Sequence, residues 1–263
     1  MVEIVVVGSL NMDLVVRAPR MPAAGETIPG EDLQMIPGGK GANQAAAASR
    51  LGGTVAMVGR VGDDAFGPSL IHNLERQGVD MGHVRTDPRA STGTALIIVD
   101  GTGENSIVIS PGANGGVAPS DVDAAEELIS RATLLLLQLE VPLDAVERAI
   151  QLADQYSVRV IFNPAPARSL DHSLLSQVDI LVPNETEAST LTGMPVARST
   201  AGEGLDGVEE AALRMRGWGI PTVIVTLGQG GALVVDNQGP ARVPARRVEA
   251  VDTTAAGDAF IGG

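Results

Sequence analysis

A carboxylate in the first turn of a helix, placed after a run of small residues, can take a proton from a hydroxyl while the helix's unpaired amides hold an anion. The segment Asp252-Thr253-Thr254-Ala255-Ala256-Gly257-Asp258 offers that combination. Ala255, Ala256 and Gly257 allow close backbone approach to a phosphate and form the anion hole; Asp258 then stands as the base. An ordinary helix start, where the macrodipole favours Asp, uses the same residues. A second cluster, Pro37-Gly38-Gly39-Lys40-Gly41-Ala42-Asn43-Gln44, enters an alanine-rich helix through a glycine loop. Lys40 is the only lysine in a chain with 18 Lys and Arg residues, so an otherwise arginine-using sequence sets one flexible ammonium between glycines. A solvated loop lysine is the alternative. No Gly-Lys-Ser/Thr falls at P-loop spacing. Asn11 and Asp13 lie two apart, which in an extended segment projects both to one side, where an amide and a carboxylate can bind hydroxyl groups. A local turn is again the plainer reading of that pair.

These groups need a scaffold that gathers them. Apolar runs at residues 2–7, 55–58, 134–139, 158–162, 180–182 and 223–225 read as buried strands. Helical periodicity falls between them, at 41–51, 66–77, 120–131, 143–156, 185–191 and 208–216. The alternation predicts an α/β fold: a doubly wound, mostly parallel sheet with helices on both faces. In such sheets ligands bind beyond the carboxyl ends of the strands, which is where Asn11 and Asp13 would sit. Residues 14–17 with 31–36, and 94–99 with 106–109 across Asp100-Gly101-Thr102-Gly103, break the rhythm and read as hairpins. They extend the main sheet at an edge or form a small sheet of their own. Residues 198–207, rich in Gly and polar groups, read as a solvated loop.

Composition narrows the function further. At 263 residues and 44% hydrophobic, the chain can bury one substantial core. It has no cysteine, which excludes disulfides and Cys-ligated zinc, and its 3 histidines stand at no ligand spacing. A formal charge of −14 disfavours nucleic acid and anionic membrane surfaces as partners, and 2% aromatic residues leave little for base stacking. The first residues are too short an apolar run, with Glu3 inside it, for a signal peptide, and no segment reads as membrane-spanning; the expected location is the cytoplasm. An anionic ligand would have to be held locally, by amides and helix termini.

Five motifs in order resemble the ribokinase-like (phosphofructokinase B type) carbohydrate kinases. Gly8-Ser9-Leu10-Asn11-Met12-Asp13 looks like that family's opening strand and sugar-binding turn, and Gly39-Lys40-Gly41-Ala42-Asn43 like its glycine loop. Asn184-Glu185-Thr186-Glu187 fits its Asn-x-x-Glu motif; Thr226-Leu227-Gly228 with Gly230-Gly231 fits its nucleotide loop; Ala255-Ala256-Gly257-Asp258 fits its anion hole and base. Asn163-Pro164-Ala165-Pro166-Ala167 is similar to a segment of the ribokinase branch. The resemblance implies transfer of a phosphoryl group from ATP to D-ribose, giving D-ribose 5-phosphate, with Asp258 as base. It implies sugar contacts from Asn11, Asp13, Gly39, Lys40, Gly41, Ala42, Asn43 and Glu140. It places Asn184, Thr226, Gly228, Gly230, Gly231 and Gly257 at the nucleotide, and Glu187 at a hydrated magnesium ion (Mg2+). Asp252 and the Thr254 carbonyl become ligands of a monovalent cation, K+. The hairpins become a discontinuous β lid over the sugar, about residues 14–36 and 94–109, which also supplies a homodimer interface. The family continues past the position of Gly263 with the rest of the last helix, adenine contacts and further cation ligands. A chain of 263 residues is therefore expected to be C-terminally incomplete and of low activity.

Two other readings stay open. Another kinase of the family, acting on deoxyribose, adenosine or a sugar phosphate, would differ at a few sugar contacts, and a silent sugar- or nucleotide-binding protein would keep the motifs without turnover. A dinucleotide oxidoreductase fits poorly, because Gly8-Ser9-Leu10-Asn11 after the first strand holds no Gly-x-Gly-x-x-Gly.

Overall fold

A computed structural model describes residues 2–197, 207–246, 248 and 253–263. Its strands are β1 Ile4–Val7, β2 Asn11–Arg17, β3 Gln34–Gly38, β4 Val55–Gly62, β5 Asp80–Asp87, β6 Gly93–Val99, β7 Asn105–Ser110, β8 Leu134–Leu137, β9 Arg159–Phe162, β10 Ile180–Leu181, β11 Thr222–Thr226, β12 Ala232–Asp236 and β13 Gly239–Val243. The helices are α1 Lys40–Arg50, α2 Phe66–Glu75, α3 Pro119–Asp123, α4 Glu126–Ser130, α5 Leu143–Tyr156, α6 His172–Leu175, α7 Glu185–Thr192, α8 Val208–Arg216 and α9 Ala256–Gly262.

Nine strands form one sheet in the order β13-β12-β11-β10-β9-β8-β1-β4-β5. From β5 to β11 all neighbours are parallel, and β12 and β13 close the far edge antiparallel. The chain winds outward from β1 to β4 and β5, then returns to lay β8 on the other side of β1, so the sheet is doubly wound with its switch point at β1 and β8. Side chains alternate across it as the two-residue period demands. Val5, Val7, Leu135, Leu137 and Phe162 pack on one face with Ile129, Val146 and Ile150. Val6, Met57 and Leu136 pack on the other with Ala45, Ala48, Leu70 and Leu74. Each of these large side chains contributes about 1.5–3 kcal/mol by leaving water.

The hairpins are not an edge extension. They make a separate four-stranded sheet, β3-β2-β6-β7, in which β2 and β6 pair parallel between two antiparallel edges. The expected helix over 120–131 is two short helices, α3 and α4. The chain turns at Ala124 and Ala125, and Ala125 is fully buried, so packing against the core overrides the single amphipathic pattern. Three strands and the short helix α6 have no counterpart in the sequence reading; the strands are β5, whose Asp80-Met81-Gly82-His83-Val84-Arg85 is polar because it is an edge strand, and the two of the β12–β13 hairpin. The loop expected over 198–207 lies outside the described residues except Gly207, the left-handed residue before α8.

The two sheets join at few points, and these are clamped. Asn114 is buried between β7 and α3; its Oδ1 accepts from the Leu10 amide at 2.9 Å and its Nδ2 donates to the Leu10 carbonyl at 3.0 Å, fixing the passage from β1 to β2. The passage from β5 to β6 is held by Asp64, which accepts from the Thr92 amide and hydroxyl, each at 2.7 Å. Gly39 (φ 95°) makes the turn from β3 into α1, where a Cβ would lie 2.8 Å from the Asn11 amide nitrogen.

Candidate active site

The carboxyl ends of β1, β8, β10 and β11 and the amino ends of α1, α7 and α9 meet along the seam between the two sheets. Asp258 is in the first turn of α9 and is 7% exposed. Asn43 Nδ2 donates to its Oδ2 at 3.1 Å, and Gln44 Nε2 donates to its Oδ1 at 3.2 Å. Both donors come from α1, against which α9 lies closely enough that a Cβ on Gly262 would sit 2.5 Å from the Gln44 carbonyl. Burial raises the Asp258 carboxyl above the usual aspartate value; the charge of Lys40 and the two amide hydrogen bonds pull it back, and Glu140 adds to the rise. Ala255 precedes it in the left-handed region (φ 57°), a conformation that bends the chain into the helix with Ala256 and Gly257 at its open end. A Cβ on Gly257 would meet nothing within 4 Å.

Glu140 follows β8 and joins the first strand's turn to α1. Its Oε2 accepts from the Ser9 hydroxyl at 2.6 Å and from the Lys40 amide at 3.0 Å. A carboxylate at the first amide of α1 satisfies a donor that the helix itself leaves unpaired. Gly41 and Ala42 face inward. A Cβ on Gly41 would fall 2.7 Å from the Ser9 nitrogen, Ala42 is packed in the core, and its amide donates to the Ser9 carbonyl at 2.9 Å. These two residues hold α1 against β1, whereas Lys40 and Asn43 project toward Asp258 and Glu187.

Asn11 and Asp13 lie in β2, opposite Gly38 and Ile36 of β3. Asn11 is buried, and its Oδ1 accepts from Asn114 Nδ2 at 2.8 Å, which points its own amide donors elsewhere. The Asp13 carboxylate lies over Gly38, where a Cβ would come 2.4 Å from Oδ2. Burial, with a further push from the Glu140 charge, raises Asp13 to about 6.

Asn184 and Glu187 form a reciprocal cap on α7. Asn184 Oδ1 accepts from the Glu187 amide at 2.9 Å, while the Glu187 carboxylate accepts from the Asn184 amide at 2.8 Å and from its Nδ2 at 3.0 Å. Burial raises Glu187, and Lys40 and Asp258 are the charges that it feels. Asn184 bridges to Thr226 at the end of β11, so the two segments expected at the nucleotide stand side by side. Gly228 (φ 51°) and Gly231 (φ 91°) turn β11 back into β12 around Gly230. Thr254 is in the turn before α9; Asp252 lies outside the described residues. Among the described residues no three His, Asp or Glu side chains gather as a metal cluster, and no helix is long and apolar enough to cross a membrane.

Sequence reasoning missed the buried amides around this seam: Asn114, Gln44, Gln138 and, as a site residue, Asn163. The available signal was chemical rather than periodic. Gln138 interrupts a run of leucines and Gln44 a run of alanines, and an uncharged polar group inside an apolar stretch asks for a partner.

A family model described as pfkB family carbohydrate kinase matches residues 1–263. Ribokinase of Schizosaccharomyces pombe is 47% identical over 270 residues, covering 100% of this chain and 84% of the relative. Deoxyribokinase of Salmonella typhi is 43% identical over 261 residues, 99% of this chain and 83% of that one. Among solved structures, Arabidopsis thaliana ribokinase complexed with ribose and ATP superposes with a TM-score of 0.90 at 35% identity, over 100% of this chain and 84% of that chain.

Proposed function

The chain belongs to the pfkB family of carbohydrate kinases, as a sugar kinase of ribokinase type, and from that premise we propose that it phosphorylates the primary hydroxyl of D-ribose with ATP. The observation that carries this reading is the convergence on one seam of Asp258, its α1 neighbours Lys40 and Asn43, and the Glu140 and Asp13 carboxylates. The first group faces an open helix start suited to phosphate; the second reaches the strand that would hold the sugar.

Asp258 takes the proton of the hydroxyl as its oxygen forms a bond to the γ-phosphorus, and the bond from that phosphorus to ADP breaks. A carboxylate raised above its ordinary value is a stronger proton acceptor, while Lys40, Asn43 and Gln44 act against that rise by favouring the charged form. The amides of Ala255, Ala256 and Gly257 hold the transferring phosphoryl group, and Lys40 adds its charge beside them. Asn11 and Asp13 bind sugar hydroxyls from the small sheet, with Gly39 and Glu140 shaping the floor below. Gly228, Gly230 and Gly231, with Thr226 and Asn184, give the nucleotide a close backbone surface. Glu187 fits a hydrated magnesium ion, being a single buried carboxylate already oriented by Asn184, and such an ion would neutralise phosphate charge. A monovalent cation near Thr254 and Asp252 is part of the same reading. So is a homodimer through the small sheet, supported by the exposed Leu96, Ile107, Val108 and Ile109 on it.

The similarity to a deoxyribokinase favours keeping 2-deoxyribose as the second candidate substrate. ADP release measured with a panel of D-ribose, 2-deoxyribose, adenosine and fructose 6-phosphate decides between them. The reading expects the highest kcat/KM for D-ribose and little release without sugar. A preference for another member of the panel reassigns the substrate, and ADP release independent of every acceptor removes the sugar-kinase proposal.

A further inference from the structure

Three buried amides run beneath Asp258. Gln44 is fully buried, one helical turn after Lys40. Its Nε2 donates to Asp258 Oδ1 at 3.2 Å and to Asn163 Oδ1 at 3.5 Å, and its Oε1 accepts from Gln138 Nε2 at 2.7 Å. Gln138 and Asn163 are the residues immediately after β8 and β9, neighbours across the carboxyl edge of the sheet, since Leu137 pairs with Phe162. Asn163 is itself oriented by donating its Nδ2 to the Val182 carbonyl at 2.9 Å.

The direction of these bonds follows from chemistry. An ionised carboxylate only accepts, so the NH2 of Gln44 must face Asp258. Its carbonyl then faces Gln138, whose NH2 must face back, which leaves Gln138 Oε1 without a partner against the backbone of Gly8. A buried orphan acceptor costs about 1–3 kcal/mol. The pair can hydrogen-bond in either sense, and the sense in which Gln44 donates to Asp258 is the one that sets Gln138 Oε1 against Gly8.

We propose that Gln44, held by Gln138 and Asn163, is a positioning residue that fixes the orientation of Asp258 and favours its ionised form, and that the Gln44–Gln138 pair responds to the protonation of Asp258. The proposal rests on Asp258 being the base. When Asp258 is neutral its hydroxyl needs an acceptor, and reversal of Gln44 supplies Oε1 to it; the Gln44 NH2 then meets the Gln138 NH2, so Gln138 must reverse with it and accept through Oε1. The charged groups acting on Asp258 besides this pair are Lys40, Glu140 and Glu187; Asn43 is the other neutral donor.

Two measurements test it. In Gln44→Met and Gln138→Met, sugar-dependent ADP release is followed from pH 5 to 9 with KM for each substrate. The expected result is a kcat lower by about ten-fold or more in Gln44→Met and by a smaller factor in Gln138→Met, KM values within about three-fold, and an acid limb moved to higher pH. In the unsubstituted chain, side-chain amide NMR signals of Gln44 and Gln138 are titrated over the same range, which needs no buried substitution to fold. Both signals should shift with the midpoint of the acid limb and cease to do so in Asp258→Asn. Flat Gln138 and Gln44 signals, or a Gln44→Met chain with unchanged kcat and acid limb, overturn the proposal. Failure of the underlying reading looks different: Asp258→Asn itself would then keep its turnover.

Discussion

The nine-stranded sheet and the four-stranded sheet meet at one site but are built on opposite terms. The large sheet is covered on both faces, and Leu137, Phe162 and Ile150 are wholly buried. In the small one β7 is exposed along its whole length, and Ile107, Val108 and Ile109 remain largely open. The large sheet takes its stability from packing and, in the proposed reading, delivers the proton acceptor and the phosphate-binding amides on helix ends. The small sheet has little core of its own and is positioned by polar clamps, Asn114 on Leu10 and Asp64 on Thr92. The lesson is a division of tasks: groups that must not move stand on a packed scaffold, and groups that must admit and release a substrate stand on a layer tied down at a few points.

The comparison breaks first at Asp258. If the large sheet carries the chemistry, Asp258→Asn lowers kcat by roughly 10²- to 10⁴-fold while sugar affinity is nearly kept. Steady-state kinetics beside calorimetric sugar binding checks this, and turnover within a few-fold of the parent chain ends the assignment. Next comes packing. Ile150→Ala should destabilise by about 2–5 kcal/mol in denaturant unfolding, because a rigid two-sided core relaxes only partly around the cavity.

On the other side of the seam, Asp13→Ala should weaken sugar binding by about 2 kcal/mol with ATP binding unchanged. Equal loss of both affinities in calorimetry would mark a folding defect instead. The same residue gives a pH test. Asp13 is raised to about 6 from an ordinary 3.8, so the folded state binds its proton more tightly than the unfolded state does. Its contribution therefore favours folding below the unfolded value and is lost as pH rises through the folded one. Asp13→Asn should show a thermal midpoint that gains on the parent chain between pH 4 and 7, and sugar affinity of the parent should fall below about pH 6 as the carboxylate is protonated. The smallest effect is expected on the exposed layer. Val108→Ser should change stability by no more than about 0.5 kcal/mol, while weakening self-association in sedimentation if the small sheet is a dimer face. A loss as large as that of Ile150→Ala would show that the small sheet has a hidden core and would erase the contrast.

The same contrast explains what could be read from the chain. Strands of the large sheet announce themselves because burial on both faces requires continuous apolar runs, as in Val5-Val6-Val7 and Leu134-Leu135-Leu136-Leu137. Edge strands do not, and β5 with its Asp, His and Arg escaped notice. The hairpins were visible through Asp100-Gly101-Thr102-Gly103, but nothing in their residues says that β2 pairs with β6 in parallel, a contact made across 82 positions between Asn11 and Gly93. Of the site, acids and glycines at element ends were legible because a turn or cap leaves a local mark. Glu187 shows the limit of that mark: its reciprocal cap with Asn184 is complete without any ligand, so spacing alone does not separate the structural role from the functional one. Buried amides leave only a chemical mark, as Gln138 does among leucines, since no period flags a Gln whose partners are contributed by other elements.

The side-chain hydrogen bonds that Asp258 accepts from Gln44 and Asn43 reach back 214 and 215 positions. Contacts of such sequence separation are the costliest to close and form late in folding. As the chain is synthesised, α1, β1 and β8 have already left the ribosome and can assemble before the Asp258 codon is read. The acid then arrives at a surface already shaped to receive it. In the proposed reading a nascent chain thus holds sugar-side and helix-capping groups before any proton acceptor joins them, and phosphoryl transfer waits for the contact of α9 with α1.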